Sequence, residues 1–183
     1  MAFDSIKPST FKAVEDLKEL GVETVLLSGD DKRVIESVKC ELNLTRAYGE
    51  ILPSEKAELV KAESKKTMFV GDGVNDSPAL TVASVGVAMS SGTNIAMTAG
   101  DVILLKNDLC DCVKGIKIGK KTRRIIKQNL FWAFFYNLIG IPLAAGVFYP
   151  LGIVLTPMIS SILMSISSIF VVSNALRIKG VKL

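Results

Sequence analysis

Histidine is missing from this 183-residue sequence, and cysteine occurs only three times, as Cys40, Cys110 and Cys112. Three cysteines are too few for a disulfide framework, and the first ten residues are too polar for a signal peptide. Without a histidine to complete a ligand set, the Cys110-Asp-Cys112 segment is a weak candidate for a metal site. These absences favour a reducing, cytosolic environment for the soluble part of the chain.

Charged residues are absent from positions 128 to 176, a run of 49 residues, although they make up 22% of the whole chain. This segregation explains a mean hydropathy of +0.41, which is too apolar for an ordinary soluble domain. Two apolar segments, 130–148 and 153–176, each have about the 20 residues that cross a hydrocarbon core, with a short turn between them. The sequence therefore predicts a transmembrane helical hairpin. A buried hairpin in a soluble protein is the less favoured alternative.

Basic residues flank this apolar stretch on both sides. They are Lys114, Lys117, Lys120, Lys121, Arg123, Arg124 and Lys127 before it and Arg177, Lys179 and Lys182 after it. Such clusters set membrane orientation and contact anionic headgroups, and in a hairpin both lie on the cytosolic side. No aromatic residues interleave with them, which argues against nucleic acid as a partner. The net charge of +4 therefore indicates a membrane lipid bilayer as the partner.

Short β-branched runs alternate with helical stretches in the first half of the chain. The predicted elements are strands at 23–27, 67–70, 84–88 and 101–105 and helices at 32–42, from 53, from 77 and at 93–98. This alternation is typical of βαβ units and predicts an α/β fold with a parallel sheet flanked by helices. Functional groups on such sheets lie at the carboxyl ends of the strands.

The segment from Gly71 to Asp76 is the most specific motif. Its predicted strand delivers Asp72 between Gly71 and Gly73, which lets the backbone turn sharply and approach a phosphate. Asp72 and Asp76 can direct two carboxylates at one magnesium ion, and Asn75 can supply an amide to a phosphate. A polar turn with a capping aspartate is the alternative, and the density of glycine and aspartate disfavours it.

Two weaker features accompany this motif. Ser28, Gly29 and Asp30 follow the first predicted strand, where a hydroxyl and backbone amides could hold phosphate oxygens. Lys56 lies at a predicted helix start after Pro53, where its ammonium could neutralise a phosphoryl group during transfer. Each is common in capped turns and solvated helix starts, so the order of the three elements is what supports a phosphate site.

This order of Ser-Gly-Asp, Leu-Pro-Ser-Glu-Lys and Gly-Asp-Gly-Val-Asn-Asp resembles the phosphorylation domain of P-type ATPases, members of the haloacid-dehalogenase-like superfamily. The resemblance implies that Ser28, in place of the family's more usual threonine, binds phosphate and that Lys56 neutralises charge. It also implies that Asp72 and Asp76 hold magnesium. The expected fold is a haloacid-dehalogenase-like parallel sheet flanked by helices, followed by an α-helical transmembrane hairpin.

The membrane half resembles the copper(I)-transporting members in both apolar segments. Tyr136 and Asn137 match the pattern of their penultimate helix, and Met164 and Ser168 match the Met-x-x-Ser-Ser pattern of their last helix. A thioether suits Cu⁺, and polar groups in a bilayer are costly unless they face an ion path or the bundle interior. The resemblance implies that these four residues hold the transported copper. Helix packing by small and hydroxyl residues is the alternative.

Several parts of such a pump do not occur in this sequence, which has no Asp-Lys-Thr-Gly-Thr segment to accept the ATP phosphate and no Cys-Pro-Cys. Phosphoryl transfer cannot proceed without its nucleophile, so we expect the chain to be inactive alone. It is then the C-terminal portion of an ATP-driven copper(I) pump: the product of a truncated gene, a split-gene subunit that works with an N-terminal partner, or a fragment from an incomplete gene model. The alternatives are a stand-alone membrane-anchored interaction module and a haloacid-dehalogenase-like phosphatase relative.

The predicted domains are a partial phosphorylation domain at 1–108, a basic linker helix at 109–127, and two transmembrane helices with a short cytosolic tail at 128–183. The family implies Mg²⁺ as cofactor, ATP as the energy source of the complete pump and Cu⁺ as the exported ion. It also implies a multi-pass protein, expected in the cell membrane. Copper and silver are not distinguished by these residues.

Overall fold

The computed structural model describes residues 6–72, 74–90, 98–152 and 156–180. It divides into two compact units, Met1–Val113 and Lys114–Leu183. The predicted helix at 93–98 falls almost entirely outside the described residues, as does Gly73.

Four α-helices lie wholly within the described part of the first unit before residue 91, and local sequence signals fix their ends. They are α1 (Pro8–Glu19), α2 (Lys32–Leu42), α3 (Pro53–Ala62) and α4 (Ser77–Val82). The Asp31 carboxylate accepts the Arg33 N–H at 2.8 Å and caps α2, which ends where Asn43 adopts the left-handed region at φ 51°. Proline occupies the first turn of α1 and α3, where its missing N–H costs no hydrogen bond. The observed ends of α2, Lys32 and Leu42, confirm its predicted bounds.

Five parallel strands form two hydrogen-bonded groups. They are β1 (Val25–Leu27), β2 (Arg46–Tyr48), β3 (Met68–Gly71), β4 (Val85–Met89) and β5 (Val102–Leu104). β1 pairs with β2, and β4 lies between β3 and β5. Strand β2 and helix α1 were not predicted, whereas the other four strands fall within one or two residues of the predicted positions. The parallel α/β arrangement is confirmed.

The apolar core of the first unit packs on the three-stranded group. Leu80 of α4 and Ala88 of β4 are fully buried, with Phe69 of β3 packed against them. Gly86 of β4 lies directly under α4, because a Cβ atom there would come within 2.5 Å of the Leu80 carbonyl oxygen. Because Gly86 has no side chain, α4 can lie close to the sheet. The position of α4 in turn fixes the direction of the loop after β3.

The second unit is helical. A helix α5 spans Leu109–Ala144 and a helix α6 spans Pro157–Leu176, with a short 3₁₀ turn at Tyr149–Leu151 between them. The Thr156 hydroxyl accepts the Ile159 N–H and caps α6. Among the described residues, one helical segment, Met158–Leu176, is long and apolar enough to cross a membrane.

The first apolar segment, predicted at 130–148, is helical up to Ala144 in this structure. Its residues continue the basic helix without a break, so that linker and apolar segment form the single helix α5. The helix ends two residues after the internal Pro142, and Gly146 takes the left-handed φ of +76°.

Contacts between α5 and α6 show that the two helices run antiparallel. The Asn174 side-chain amide donates to Asn129 Oδ1 at 2.8 Å, and the ring of Trp132 lies 6.1 Å from that of Phe170. Residue numbers thus rise along α5, from 129 to 132, where they fall along the facing part of α6, from 174 to 170. The predicted hairpin connectivity is present, with a shorter first arm.

Candidate functional site: a lysine–aspartate pair at the end of a parallel strand

Lys56 and Asp76 form an ion pair at the end of β3. Lys56 Nζ lies 2.9 Å from Asp76 Oδ1, and the two side chains are 15% and 14% exposed. Lys56 is held in the first turn of α3, which begins at Pro53, and Asp76 ends the 3₁₀ turn Val74–Asp76 that leads into α4. The structure therefore joins two residues that the sequence singled out separately.

Gly71 and Asp76 approach each other closely. A Cβ atom at Gly71 would lie 2.7 Å from Asp76 Cβ and 2.8 Å from Asp76 Oδ2, so no other residue fits without a shift. Asp72 follows Gly71 directly and is exposed. The two aspartates thus lie at the same strand end, with Asp76 folded back against the residue before Asp72.

Ser28, Gly29 and Asp30 form a closed turn after β1. The Ser28 hydroxyl donates to Asp30 Oδ2 at 2.8 Å, and the Asp30 N–H points to Ser28 Oγ at 3.3 Å. The turn is tied to the loop after β2, because the Glu50 N–H donates to the Asp30 carbonyl oxygen at 2.7 Å. A Cβ atom at Gly29 would make only an ordinary 3.5 Å contact, with the Ile51 carbonyl oxygen. The Ser28 hydroxyl is therefore oriented at a strand end, engaged within its own loop.

Other members of the motif differ in how the structure places them. Asn75 is exposed, and Gly73 lies outside the described residues. Sequence reasoning missed Ser77, whose hydroxyl oxygen is buried without a hydrogen-bond partner in the part of the chain that the structure describes. Its position in the sequence could have identified it, since Ser77 follows Asp76 directly and precedes a proline at the start of α4.

The donor set at this strand end suits a hard divalent cation. Asp72 and Asp76 supply carboxylate oxygens, and the described residues contain no group of three His, Cys, Asp or Glu side chains able to hold a metal. Magnesium typically binds one or two carboxylates and takes its remaining ligands from water and phosphate. Two carboxylates beside a shielded lysine therefore fit magnesium with a phosphate better than a transition metal held by protein alone.

The hydrogen bonds that this structure shows for the predicted copper residues stay within each helix. The Asn137 amide donates to the Ala133 carbonyl oxygen at 3.1 Å, and the Ser168 hydroxyl donates to the Met164 carbonyl oxygen at 3.1 Å, each within its own helix. Both are bonds to the carbonyl oxygen four residues earlier in the same helix, which polar side chains commonly make.

The pairing of Asn129 with Asn174 shows which of these residues lie at the same level along the two helices. Seven residues along α5 lead to Tyr136, and seven residues back along α6 lead to Ser167, so Tyr136 lies level with the Ser167–Ser168 pair. Asn174, which aligns the helices through Asn129, was not among the predicted residues.

The Cys110 and Cys112 segment forms packing contacts. Cys110 Sγ donates to the Ser9 carbonyl oxygen at 3.4 Å, and Cys112 is buried with Val87 and Leu104. Burial, followed by the nearby charges of Asp111 and Asp108, raises the pKa of the Cys112 thiol to about 11. The Cys112 thiol is thus protonated at neutral pH and contributes to the core as an apolar group.

Similarity to known proteins extends over nearly the whole chain. A family model described as haloacid dehalogenase-like hydrolase matches residues 1–84. The chain is 46% identical over 179 residues to copper-transporting ATPase 1 of Rattus norvegicus and 45% identical over 184 residues to a copper-exporting P-type ATPase of Legionella pneumophila. These matches cover 96% and 98% of the chain, which spans 12% and 25% of the two relatives' lengths.

Solved structures agree with these sequence matches. A zinc-transporting PIB-type ATPase in the E2.Pi state superposes with a TM-score of 0.85 at 30% identity, covering 96% of this chain and 28% of that one. The catalytic domain of the CPx-ATPase CopB-B gives a TM-score of 0.58 at 34% identity over 63% of this chain and 47% of that one. The predicted haloacid-dehalogenase-like fold is confirmed, and with the apolar helix α6 the relatives identify a membrane protein.

Proposed function

Since this chain is homologous to the C-terminal part of copper-transporting P-type ATPases, we propose that it supplies the phosphate and magnesium site, and part of the membrane copper site, of an ATP-driven copper(I) export pump. The observation that carries the proposal is the shielded Lys56–Asp76 pair at the end of β3, beside Asp72. It combines the charges that a phosphoryl group and its magnesium ion require. The chain spans at most a quarter of these relatives' lengths, so the remainder of the pump is part of the proposal.

Each residue at this strand end has a proposed role. Asp72 and Asp76 hold magnesium, which when bound neutralises phosphate charge. Lys56, with its position fixed by Asp76, places an ammonium against the same phosphoryl oxygens. Gly71 lets the Asp76 side chain fold back against the strand end, and the sequence position of Gly73 suits a loop that a phosphate approaches.

The turn after β1 has the complementary role. Ser28 and Gly29 present a hydroxyl and a backbone amide to phosphate oxygens, and Asp30 orients the hydroxyl through its 2.8 Å hydrogen bond. Asn75 supplies a further amide from the loop after β3. These assignments rest on the chemistry of the side chains and on their positions at strand ends.

The open edges of two strands support the proposal that a further segment of polypeptide completes the sheet. In the described residues β1 bonds only to β2 and β3 bonds only to β4, so each leaves one edge open. The chain segments that lead into β1 and β3 are linked, because Lys65 Nζ lies 3.0 Å from Glu23 Oε1. Two extended side chains of this kind bridge about 10 Å, which is two strand spacings. We therefore place one strand of the N-terminal remainder, carrying its Asp-Lys-Thr-Gly-Thr aspartate, between β1 and β3.

The remaining organisation follows from this role. Residues 1–108 form a partial phosphorylation domain, 109–127 a basic linker, and 128–183 two membrane segments, which makes the protein multi-pass with its soluble domain in the cytosol. The cell membrane is the proposed location, and ATP is bound and hydrolysed only by the assembled pump. The chain alone, without a nucleophile, is inactive.

Reconstitution tests the pump proposal. The chain is expressed with a polypeptide carrying the rest of the Legionella copper-exporting relative, and phosphoenzyme formation from labelled ATP is measured in membranes. We expect an acid-stable label on the partner's aspartate only when both polypeptides are present. An Asp→Asn change at that aspartate is the control that removes the label. A label on the chain alone, or phosphatase activity of the chain alone, would show a different enzyme.

The membrane site needs its own measurement. In the reconstituted pump, Met164→Leu removes the proposed thioether ligand, and we expect Cu⁺ affinity to fall about tenfold or more. Met158→Leu is the matched control, since Met158 is 74% exposed on the same helix, six residues away, and Met164 is 71% exposed. Equal affinities in the two variants would remove Met164, and with it the neighbouring Ser168, Tyr136 and Asn137, from the proposed copper site.

A further inference from the structure

The second unit has an unusual charge distribution. Residues 114–183 contain ten of the 22 Lys and Arg residues and none of the 18 Asp and Glu residues. Its cations therefore have no acidic side chain of the same unit to pair with. Among the ion pairs that the structure describes, none involves Arg123, Arg124 or Lys127.

Four of these cations line one cleft together with two aromatic rings. The cleft has a volume of about 650 Å³ and is lined by Lys120, Arg123, Arg124, Lys127, Gln128, Phe131 and Trp132. Arg123, Arg124 and Lys127, the three cations nearest the aromatic rings in sequence, are exposed. The open face of this part of α5 is thus wholly cationic at one end and aromatic at the other.

The helical repeat explains the division of this face. Lys127 and Phe131 are four residues apart, as are Gln128 and Trp132, so each pair forms a row along the axis with a polar side chain followed by an aromatic one. The rings of Phe131 and Trp132 lie 5.6 Å apart, edge to face, and Trp132 also packs on Phe170 of α6. The aromatic end of the cleft is therefore fixed beside the apolar helix, while the cationic end points away from it.

The spacing along the axis matches a membrane interface. Trp132 lies five residues from Lys127, a rise of about 7.5 Å, and the polar headgroup layer on each side of a bilayer is roughly 5–7 Å thick. A tryptophan at the boundary of the hydrocarbon core therefore places Lys127 at the level of the lipid phosphates. The backbones of Arg124 and Arg123 lie about 12 and 13.5 Å from that boundary, and their long side chains can extend back toward the phosphates.

We propose that this cleft binds the phosphate group of an anionic phospholipid from the cytosolic leaflet. Two guanidinium groups and an ammonium complement the phosphate, and Phe131 and Trp132 contact the upper part of the acyl chains. The chemistry favours a lipid over a soluble phosphate, because the aromatic half of the cleft is apolar and continuous with the membrane helix. The inference rests on the membrane placement of the proposed function but not on phosphoryl transfer or copper binding.

Trp132 is the single tryptophan of the chain, and it lines the cleft, so its fluorescence reports on the site. The full chain is reconstituted into nanodiscs of phosphatidylcholine with an equal mole fraction of either brominated phosphatidylglycerol or brominated phosphatidylcholine. Quenching by the two lipids gives their relative affinity for the cleft. We expect the anionic lipid to be preferred, and each cation removed to lower the preference about fivefold.

Matched variants separate a site from general surface charge. Arg124→Gln/Lys127→Gln removes two charges from the cleft, and Lys121→Gln/Lys179→Gln removes two charges outside it. We expect the first pair to abolish most of the preference and the second to leave it nearly unchanged. Equal losses in both variants, or a preference that survives in the first, would overturn the proposal.

Two further arms complete the test. Soluble glycerol 3-phosphate should leave the quenching unchanged, and its displacement of the lipid would identify a free phosphate as the ligand and overturn the proposal. Absence of quenching by either brominated lipid would overturn both the cleft and the membrane placement of Trp132. Loss of phosphoenzyme in the reconstitution experiment, with lipid preference intact, would affect only the proposed pump.

Discussion

Lys56 Nζ lies 2.9 Å from Asp76 Oδ1 across 20 residues of sequence, and both side chains are about 85% shielded from solvent, being 15% and 14% exposed. Each charge compensates the burial of the other, so removing one leaves the other unpaired in a low-dielectric environment. The pair also holds the lysine in one orientation before any phosphate arrives. This preorganisation is the main physical reason to expect a large catalytic effect from Lys56.

Replacing Lys56 by Met should lower the rate of phosphoenzyme formation in the reconstituted pump by about 10²–10³-fold, the usual cost of removing one preorganised charge. It should also lower the free energy of unfolding of the full chain by about 2 kcal/mol, between the values for exposed and buried ion pairs. Lys61→Met, at the exposed end of α3, is the matched control. A normal rate in the Lys56 variant would remove this residue from the site.

Gly71→Ala should destabilise the chain by about 1–3 kcal/mol, because the new Cβ would meet the Asp76 side chain at 2.7–2.9 Å. Gly115→Ala is the control, since a Cβ there has no atom within 4 Å and lies inside α5. That change should stabilise by about 0.5–1 kcal/mol. Thermal unfolding of both variants, followed by circular dichroism, tests the expectation; a Gly71 variant as stable as the original would contradict the close approach.

The stability of the folded chain should depend on pH through the carboxyl group of Glu63. The Arg46 guanidinium, which donates to Glu63 at 2.7 Å, lowers the pKa of this carboxyl group in the folded chain. A carboxyl whose pKa is depressed by folding stabilises the chain above its unfolded pKa, and the contribution disappears as pH falls through the folded pKa. Glu63→Gln should therefore lower stability at pH 7 and reduce the loss of stability on acidification. Unfolding measured from pH 7 down to pH 3 tests this, with the exposed Glu58→Gln as control.

The three cysteines should differ in reactivity. Cys40 is exposed, Cys110 is partly buried and Cys112 is buried with its pKa raised to about 11. At pH 8 a shift of two units from the ordinary 9.0 lowers the thiolate fraction of Cys112 about 100-fold, beyond any effect of access. Iodoacetamide labelling followed by mass spectrometry should modify Cys40 first and Cys112 last. Similar rates at Cys40 and Cys112 would show that the core around Cys112 opens readily.

Local signals made much of the soluble fold predictable from the sequence. Asp31 and Asn43 bracket α2, and the apolar runs before Ser28 and Asp72 identify β1 and β3. Strand β2 could not be predicted because Arg46, Ala47 and Tyr48 are too few, and too polar, to give a periodic pattern. Its existence depends on pairing with β1, which is a tertiary interaction.

The candidate site was predictable in its residues but not in its contacts. The motif around Asp72 and the lysine after Pro53 were recognised separately, and only the packing of α3 against α4 brings Lys56 to Asp76. The membrane half was harder to predict, because hydropathy alone does not show that a helix ends at Ala144, just before Gly146 takes a positive φ. Asn174 was missed for a similar reason, since its partner Asn129 lies 45 residues away.

The edges of β1 and β3 that no strand pairs with, in the described residues, also bear on how the isolated chain behaves in solution. A row of unpaired backbone groups is a template for self-association, and the apolar side chains Val25 and Met68 at these strands are 40% and 41% exposed. Purified on its own, the chain should therefore aggregate through these strands, and a peptide strand that pairs with them should keep it monomeric.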